Sequence, residues 1–166
     1  MNGAIQVVKM AEIGVVKHNG GGPHVQLKTT LGSCVGIILS DQKMRVHGLA
    51  HIMLPEKLNR DMTIGKYADT AIPALLTEMK EKGAIKKNIS AYLVGGACMF
   101  GFNDGTGISA IGDRNAGAAR EMLGSLKIPI VFEETGGNTG RTIMFNGEAG
   151  KVSVKTLQKI TMRKDN

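Results

Sequence analysis

The chain has 166 residues, 42% of them hydrophobic, and 21 Lys and Arg against 14 Asp and Glu give it a formal net charge of +7. That length suits a single domain over 1–166 with its own core, and the sequence shows neither an apolar run near the ~20 residues of a membrane helix nor a basic-then-apolar export pattern. Two cysteines are too few for a disulfide framework, and two Tyr, four Phe and no Trp beside 23 Gly argue against stacked-base recognition of single-stranded nucleic acid.

In chain order, residues 5–8 and 14–17 read as short strands before a glycine-rich turn at 19–23. Residues 25–30 alternate apolar and polar, as a half-buried strand does. Two apolar, partly β-branched runs at 35–39 and 46–54 flank a polar turn at 40–43 and suit a hairpin. From 66 to 82 the period becomes helical through Ala68, Ile72, Leu75, Leu76 and Met79, with Pro73 marking a kink or a later start and Gly83 a stop. A strand at 89–94 runs into Gly95-Gly96, a second helix fits 115–127, and strands fit 128–133, 141–145 and 152–156. Consecutive strand pairs imply antiparallel pairing, so the fold class is α+β: sandwich-like, mostly antiparallel layers flanked by two or three helices. The basic tail, from about 157, is expected to fray. The positive balance suits either a solvated surface or an acidic partner such as nucleic acid, a membrane or a Glu-rich protein.

The most definite chemistry lies at Cys34 and His51. A lone Cys is usually a small buried hydrophobe, but Gly32, Ser33 and Gly36 around Cys34 leave room for a substrate, and a turn with exposed N–H groups is what an oxyanion requires. A nucleophilic Cys needs an imidazole or a positive charge nearby. His51 serves if the strands on either side of the 40–43 turn lie side by side, and otherwise it is a satisfied histidine on a half-buried strand. His47 and His51 stand four apart, but on a strand four residues span roughly 13 Å, too far to share one ion, so no metal site is expected. Cys98, among apolar neighbours, reads as structural. The glycine-rich stretches at 101–107 and 136–141 lack the Lys-Ser/Thr ending or the following helix of a phosphate loop and read as turns.

Several stretches resemble the CheD family of chemoreceptor glutamine deamidases: Leu31-Gly32-Ser33-Cys34-Val35, His51-Ile52-Met53-Leu54-Pro55, Gly95-Gly96-Ala97-Cys98-Met99-Phe100, Ile111-Gly112-Asp113-Arg114-Asn115-Ala116 and Glu134-Thr135-Gly136-Gly137-Asn138-Thr139-Gly140-Arg141-Thr142, with Gly65-Lys66-Tyr67-Ala68-Asp69-Thr70-Ala71 at the first helix. Their order and spacing agree over nearly the whole chain. The resemblance implies a sandwich fold related to Cys–His toxin deamidases, with Cys34 as nucleophile and His51 as general base. It adds a threonine that lies six positions before the Cys in some members, where this chain has Lys28; a one-residue shortening brings Thr29 to that role, with Thr30 the alternative. It further implies a cytoplasmic enzyme without metal or organic cofactor. The resemblance implies glutamines on the cytoplasmic domains of chemoreceptors as substrates, and the CheC phosphatase, which several members bind, as a partner. Nucleic acid and membrane insertion have no part in it. The competing readings are a non-catalytic adaptor that binds receptors or CheC, and a cysteine peptidase or transglutaminase sharing the thioester step.

Overall fold

The computed structural model describes residues 3–57, 61–98 and 110–157. Among them, strands β1 (Ile5–Val7), β2 (Ile13–Lys17), β3 (Gln26–Leu31), β4 (Val35–Asp41) and β5 (Val46–Ile52) precede helix α1 (Ala68–Glu81). Strand β6 (Ile89–Gly95), helix α2 (Ile111–Ser125) and strands β7 (Ile130–Thr135), β8 (Arg141–Asn146) and β9 (Lys151–Thr156) follow. One sheet has the order β1-β3-β8-β9 and the other β2-β5-β4-β6-β7. Pairing is antiparallel except for β1 with β3 and β6 with β7, so the expected α+β sandwich is the observed fold. The stretch 101–107 and the tail beyond 157 lie outside the described residues.

The side chains explain the layering. On β4, Val35, Ile37 and Leu39 face Ile72, Leu75 and Met79 of α1 and Ala116, Ala119 and Leu123 of α2, whereas Ile38 joins Leu27, Leu31, Ile143 and Phe145 between the sheets. With a layer on either face, β4 is buried throughout, which is why it reads as a continuous apolar run and not as an alternation. β3 has one covered face: Leu27, Thr29 and Leu31 point inward and Thr30 is exposed.

Strand β7 lies at Ile130–Thr135 against the expected 128–133 and β5 ends at Ile52 instead of 54; three further boundaries have a local physical reason. The β4–β5 turn occupies 42–45 instead of 40–43; Asp41 Oδ1 accepts the Met44 N–H (3.0 Å) and Arg45 takes the left-handed conformation (φ 57). α1 begins at Ala68 and runs on through Pro73. α2 starts four residues early, with Ala110 at its N-cap and no side-chain cap to announce it. Gly112 enters the helix against the backbone carbonyls of Gly96 and Ala97, where any Cβ would collide.

Gly95 (φ 114) and Gly96 (φ 66) break β6 in conformations that L-residues avoid. A Cβ on Gly95 would also run into Cys34 O, whereas one on Gly117 in α2 meets nothing within 4 Å. Gly95→Ala is therefore expected to destabilise by about 2 kcal/mol or more, and Gly117→Ala to stabilise by roughly 0.5–1 kcal/mol, both measured by denaturant unfolding.

A candidate active site between the sheets

Strands β4 and β5 pair with Gly36 directly opposite His51. Strand alternation sends the His51 ring into the inter-sheet layer, on the side of Leu49. The place facing it is empty of side chain, since Gly36 is hemmed in by Ile143, Leu31 and Leu49. Cys34 stands one residue before β4. Its carbonyl accepts the Gly96 N–H at 2.9 Å, which carries the β4–β6 ladder one step further. Cys34 therefore keeps the alternation of Gly36 and Ile38 and packs against the same inter-sheet cluster. Cys34 and His51 are thus diagonal neighbours on one face, with Cβ atoms roughly 7 Å apart or less by sheet geometry.

Thr29 reaches this face from the other sheet. Its hydroxyl lies 2.5 Å from Val8 O and 2.7 Å from His51 Nδ1. A hydroxyl has one proton to give. The Val8 carbonyl can only accept, so that proton goes to Val8 O, and His51 Nδ1–H must donate to Thr29 Oγ1. The imidazole is thereby fixed as the Nδ1–H tautomer with its lone pair on Nε2, and Nε2 is buried without a hydrogen-bond partner among the described residues. Thr30 points outward and meets Thr142 Oγ1 at 3.0 Å.

Burial sets the charge state. It lowers the His51 pKa below its usual value, against opposing effects of the Val8 carbonyl and Glu12, and it raises that of Cys34, against its own backbone N–H. At neutral pH both groups rest uncharged, as thiol and imidazole instead of an ion pair.

The turn before β4 is held by its carbonyls. Gly32 O accepts from Ala97 N (3.0 Å), Cys34 O from Gly96 N, and Ser33 O from Asn115 Nδ2 (3.0 Å). The N–H groups of Gly32 and Ser33 donate to no described acceptor, and that of Cys34 lies against its own sulfur. Behind the turn, Arg141 is buried and donates to Gly95 O (3.0 Å) and Gly136 O (2.7 Å). Cys98, a free and half-buried thiol, is tied through its N–H to Gly137 O. The 136–141 stretch is a turn into β8, as expected, and it works through carbonyls, the opposite of a phosphate loop.

His47 occupies the far end of β5. Its Nδ1 meets Ser40 Oγ at 2.7 Å, its ring packs edge-on against Phe145, and burial pushes its pKa down to about 4. Among the described residues no cluster of three or more His, Cys, Asp or Glu is arranged to hold a metal ion. Sequence reasoning passed over Asn115, Arg141 and the Val8 carbonyl as parts of the site. The first two left a signal, a polar residue at the start of the apolar face of α2 and a charged one on an inward position of β8. The carbonyl left none.

Fold and site together define a class: an α+β sandwich carrying, on one inner face, a thiol and an imidazole whose tautomer a threonine fixes from the opposite sheet. The family model described as CheD chemotactic sensory transduction matches residues 53–156. A Clostridium novyi protein named probable chemoreceptor glutamine deamidase CheD is 44% identical over 148 residues, covering 87% of this chain and 91% of its own length. Proteins of the same name from Clostridium kluyveri and Clostridium botulinum strain Hall are 39% and 40% identical, each covering 90% of this chain and 94% of their own. The chain belongs to the CheD family.

The His51 tautomer is directly observable. Nitrogen-15 NMR should show the proton on Nδ1 and a titration midpoint below the ordinary histidine value. Thr29→Val should destabilise by about 1–3 kcal/mol through loss of the hydroxyl's bonds to Val8 O and His51 Nδ1, leaving Nδ1–H only its longer 3.4 Å contact with Val8 O. Thr30→Val should change stability by no more than about 0.5 kcal/mol.

Proposed function

We propose that the chain is a cytoplasmic protein-glutamine deamidase, working as one domain, that converts glutamine side chains of chemoreceptors to glutamate. The family and the names of its relatives support the activity. The observation that carries the mechanism is the unpartnered Nε2 of His51, whose ring Thr29 holds through Nδ1 on the face that also bears Cys34.

The reaction starts from the neutral thiol and imidazole. The Cys34 sulfur attacks the carboxamide carbon while its proton passes to His51 Nε2. Nδ1–H stays on Thr29, so the imidazolium that forms is stabilised by the threonine oxygen and, behind it, the Val8 carbonyl. His51 then gives its proton to the leaving nitrogen, ammonia departs, and a glutamyl thioester remains. Water attacks the thioester with the same Nε2 as base, releasing glutamate and restoring the thiol. Protons balance over the cycle, and it needs no metal or organic cofactor. Because thiol and imidazole both rest neutral, proton transfer accompanies attack instead of preceding it.

Next to the strand end that bears His51, a cavity of about 350 Å³ lined by Leu54, Pro55, Asp61, Lys66, Tyr67 and Arg114 offers the flank of a substrate helix a seat. The net charge of +7 draws the chain toward Glu-rich receptor bundles. The family resemblance also brings a CheC phosphatase as a regulatory partner.

Cys34→Ala is expected to abolish ammonia release from a purified chemoreceptor cytoplasmic fragment and the matching Gln-to-Glu mass shift in its peptides; retention of either overturns the nucleophile. His51 must be neutral to act, and its pKa is lowered, so kcat/KM should stay flat as pH falls to about 6.5 and drop only as pH passes below that ordinary value. An acid limb centred above 6.5 would contradict the role of His51. Receptor binding should weaken as salt rises, which a titration at several ionic strengths reads directly.

A further inference from the structure

Beyond the three residues of the proposed mechanism, one buried side chain touches both segments that carry the chemistry. Asn115, fully buried at the N-terminal end of α2, uses its Nδ2 twice. It donates to Ser33 O at 3.0 Å, one residue before Cys34, and to Met53 O at 3.0 Å, two residues after His51. Both amide hydrogens are thereby spent, and the carboxamide has one orientation. Its own Oδ1 is buried with no described partner. An apolar residue here would leave the Ser33 and Met53 carbonyls without their described donor, so the carboxamide serves both segments while its own oxygen goes unpaired among the described residues.

We infer that Asn115 is a positioning residue that sets the Ser33–Cys34 peptide so that the Cys34 N–H receives the oxyanion; this rests on the deamidase reading. Every described peptide bond is trans, and in a trans peptide the N–H points opposite to its carbonyl. Asn115 draws the Ser33 carbonyl toward α2, so the Cys34 N–H points away from α2. That N–H belongs to the residue whose sulfur attacks, and it has no backbone acceptor among the described residues. A donor on the Ser33 oxygen also polarises the same peptide and strengthens its N–H as a donor. The pairing of β4 with β5 already places the thiol and the imidazole. What the sheet leaves loose is the peptide plane in the turn before Cys34, and Asn115 fixes it.

The consequence is a split between two reactions of the same sulfur. Deamidation passes through an oxyanion, whereas alkylation of Cys34 by iodoacetamide is a displacement at carbon that forms none. Asn115→Asp keeps the shape and replaces the donor by an acceptor facing two carbonyls; Asn115→Ser shortens the side chain and strands no carboxamide oxygen. Both are compared with wild type for ammonia release from a purified chemoreceptor cytoplasmic fragment, for the pH dependence of alkylation, and for folding by circular dichroism. The expected result is a kcat lower by about 10²-fold or more, with KM and the alkylation profile close to wild type. A folded variant with wild-type kcat overturns the inference, and so does alkylation that falls in step with kcat, since Asn115 would then only support the fold. If neither variant folds, Asn115 is structural and the inference fails. Wild-type protein that releases no ammonia removes the deamidase reading itself; wild-type turnover with unaffected variants removes the role of Asn115 alone.

Discussion

Thr29 and His51 belong to different sheets, and their hydrogen bond exists only when the two sheets are packed. The bond has a direction because Val8 O claims the hydroxyl proton. One carbonyl on a chain segment next to β1 therefore decides which nitrogen of a histidine on β5 is basic. The parallel pairing of β1 with β3 puts that carbonyl in place, and the Val8 N–H is itself bonded to Lys28 O at 2.9 Å. Short as it is, β1 is thus tied to the chemistry, since loosening it would free the Thr29 proton to choose His51 and close the basic site.

The second constraint is crowding of backbone around the turn that carries the thiol. Gly95, Gly96 and Gly112 stand where Cβ atoms would strike the carbonyls of Cys34, Gly112 and Gly96. Three segments distant in sequence can therefore close to backbone–backbone contact, and the carbonyls of Gly32, Ser33 and Cys34 are each taken by a donor from the loop after β6 or from α2. A turn whose carbonyls are all engaged has little freedom left in its peptide planes, and its N–H groups stay available. Arg141 closes the back of the assembly through two further carbonyls.

Much of this was legible in the sequence. The apolar run of β4, the alternation of β3 and the helical spacing from Ala68 to Met79 each follow from which faces are buried. Cys34 and His51 stood out as chemistry in apolar surroundings, and the geometry sets them on one face. Choosing between Thr29 and Thr30 required the register of β3: inward alternation through Leu27 and Leu31 sends Thr29 to the core and Thr30 to the surface. The start of α2 was hidden because packing of Gly112, not a capping side chain, begins it. The Val8 carbonyl was beyond reach, since every residue has one and only the fold says where it points. Asn115 looked like a helix-start residue, and its true contacts lie 82 and 62 residues away in sequence.

Burial of Cys34 has an effect outside the proposed reaction cycle. Peroxide and disulfides consume thiolate, not thiol, and a thiol whose pKa is raised by burial presents little thiolate to the solvent at rest. The same desolvation that keeps the thiol protonated thereby shields the sulfur. A thiol held protonated in this way offers less to an oxidant than a standing thiolate–imidazolium pair does.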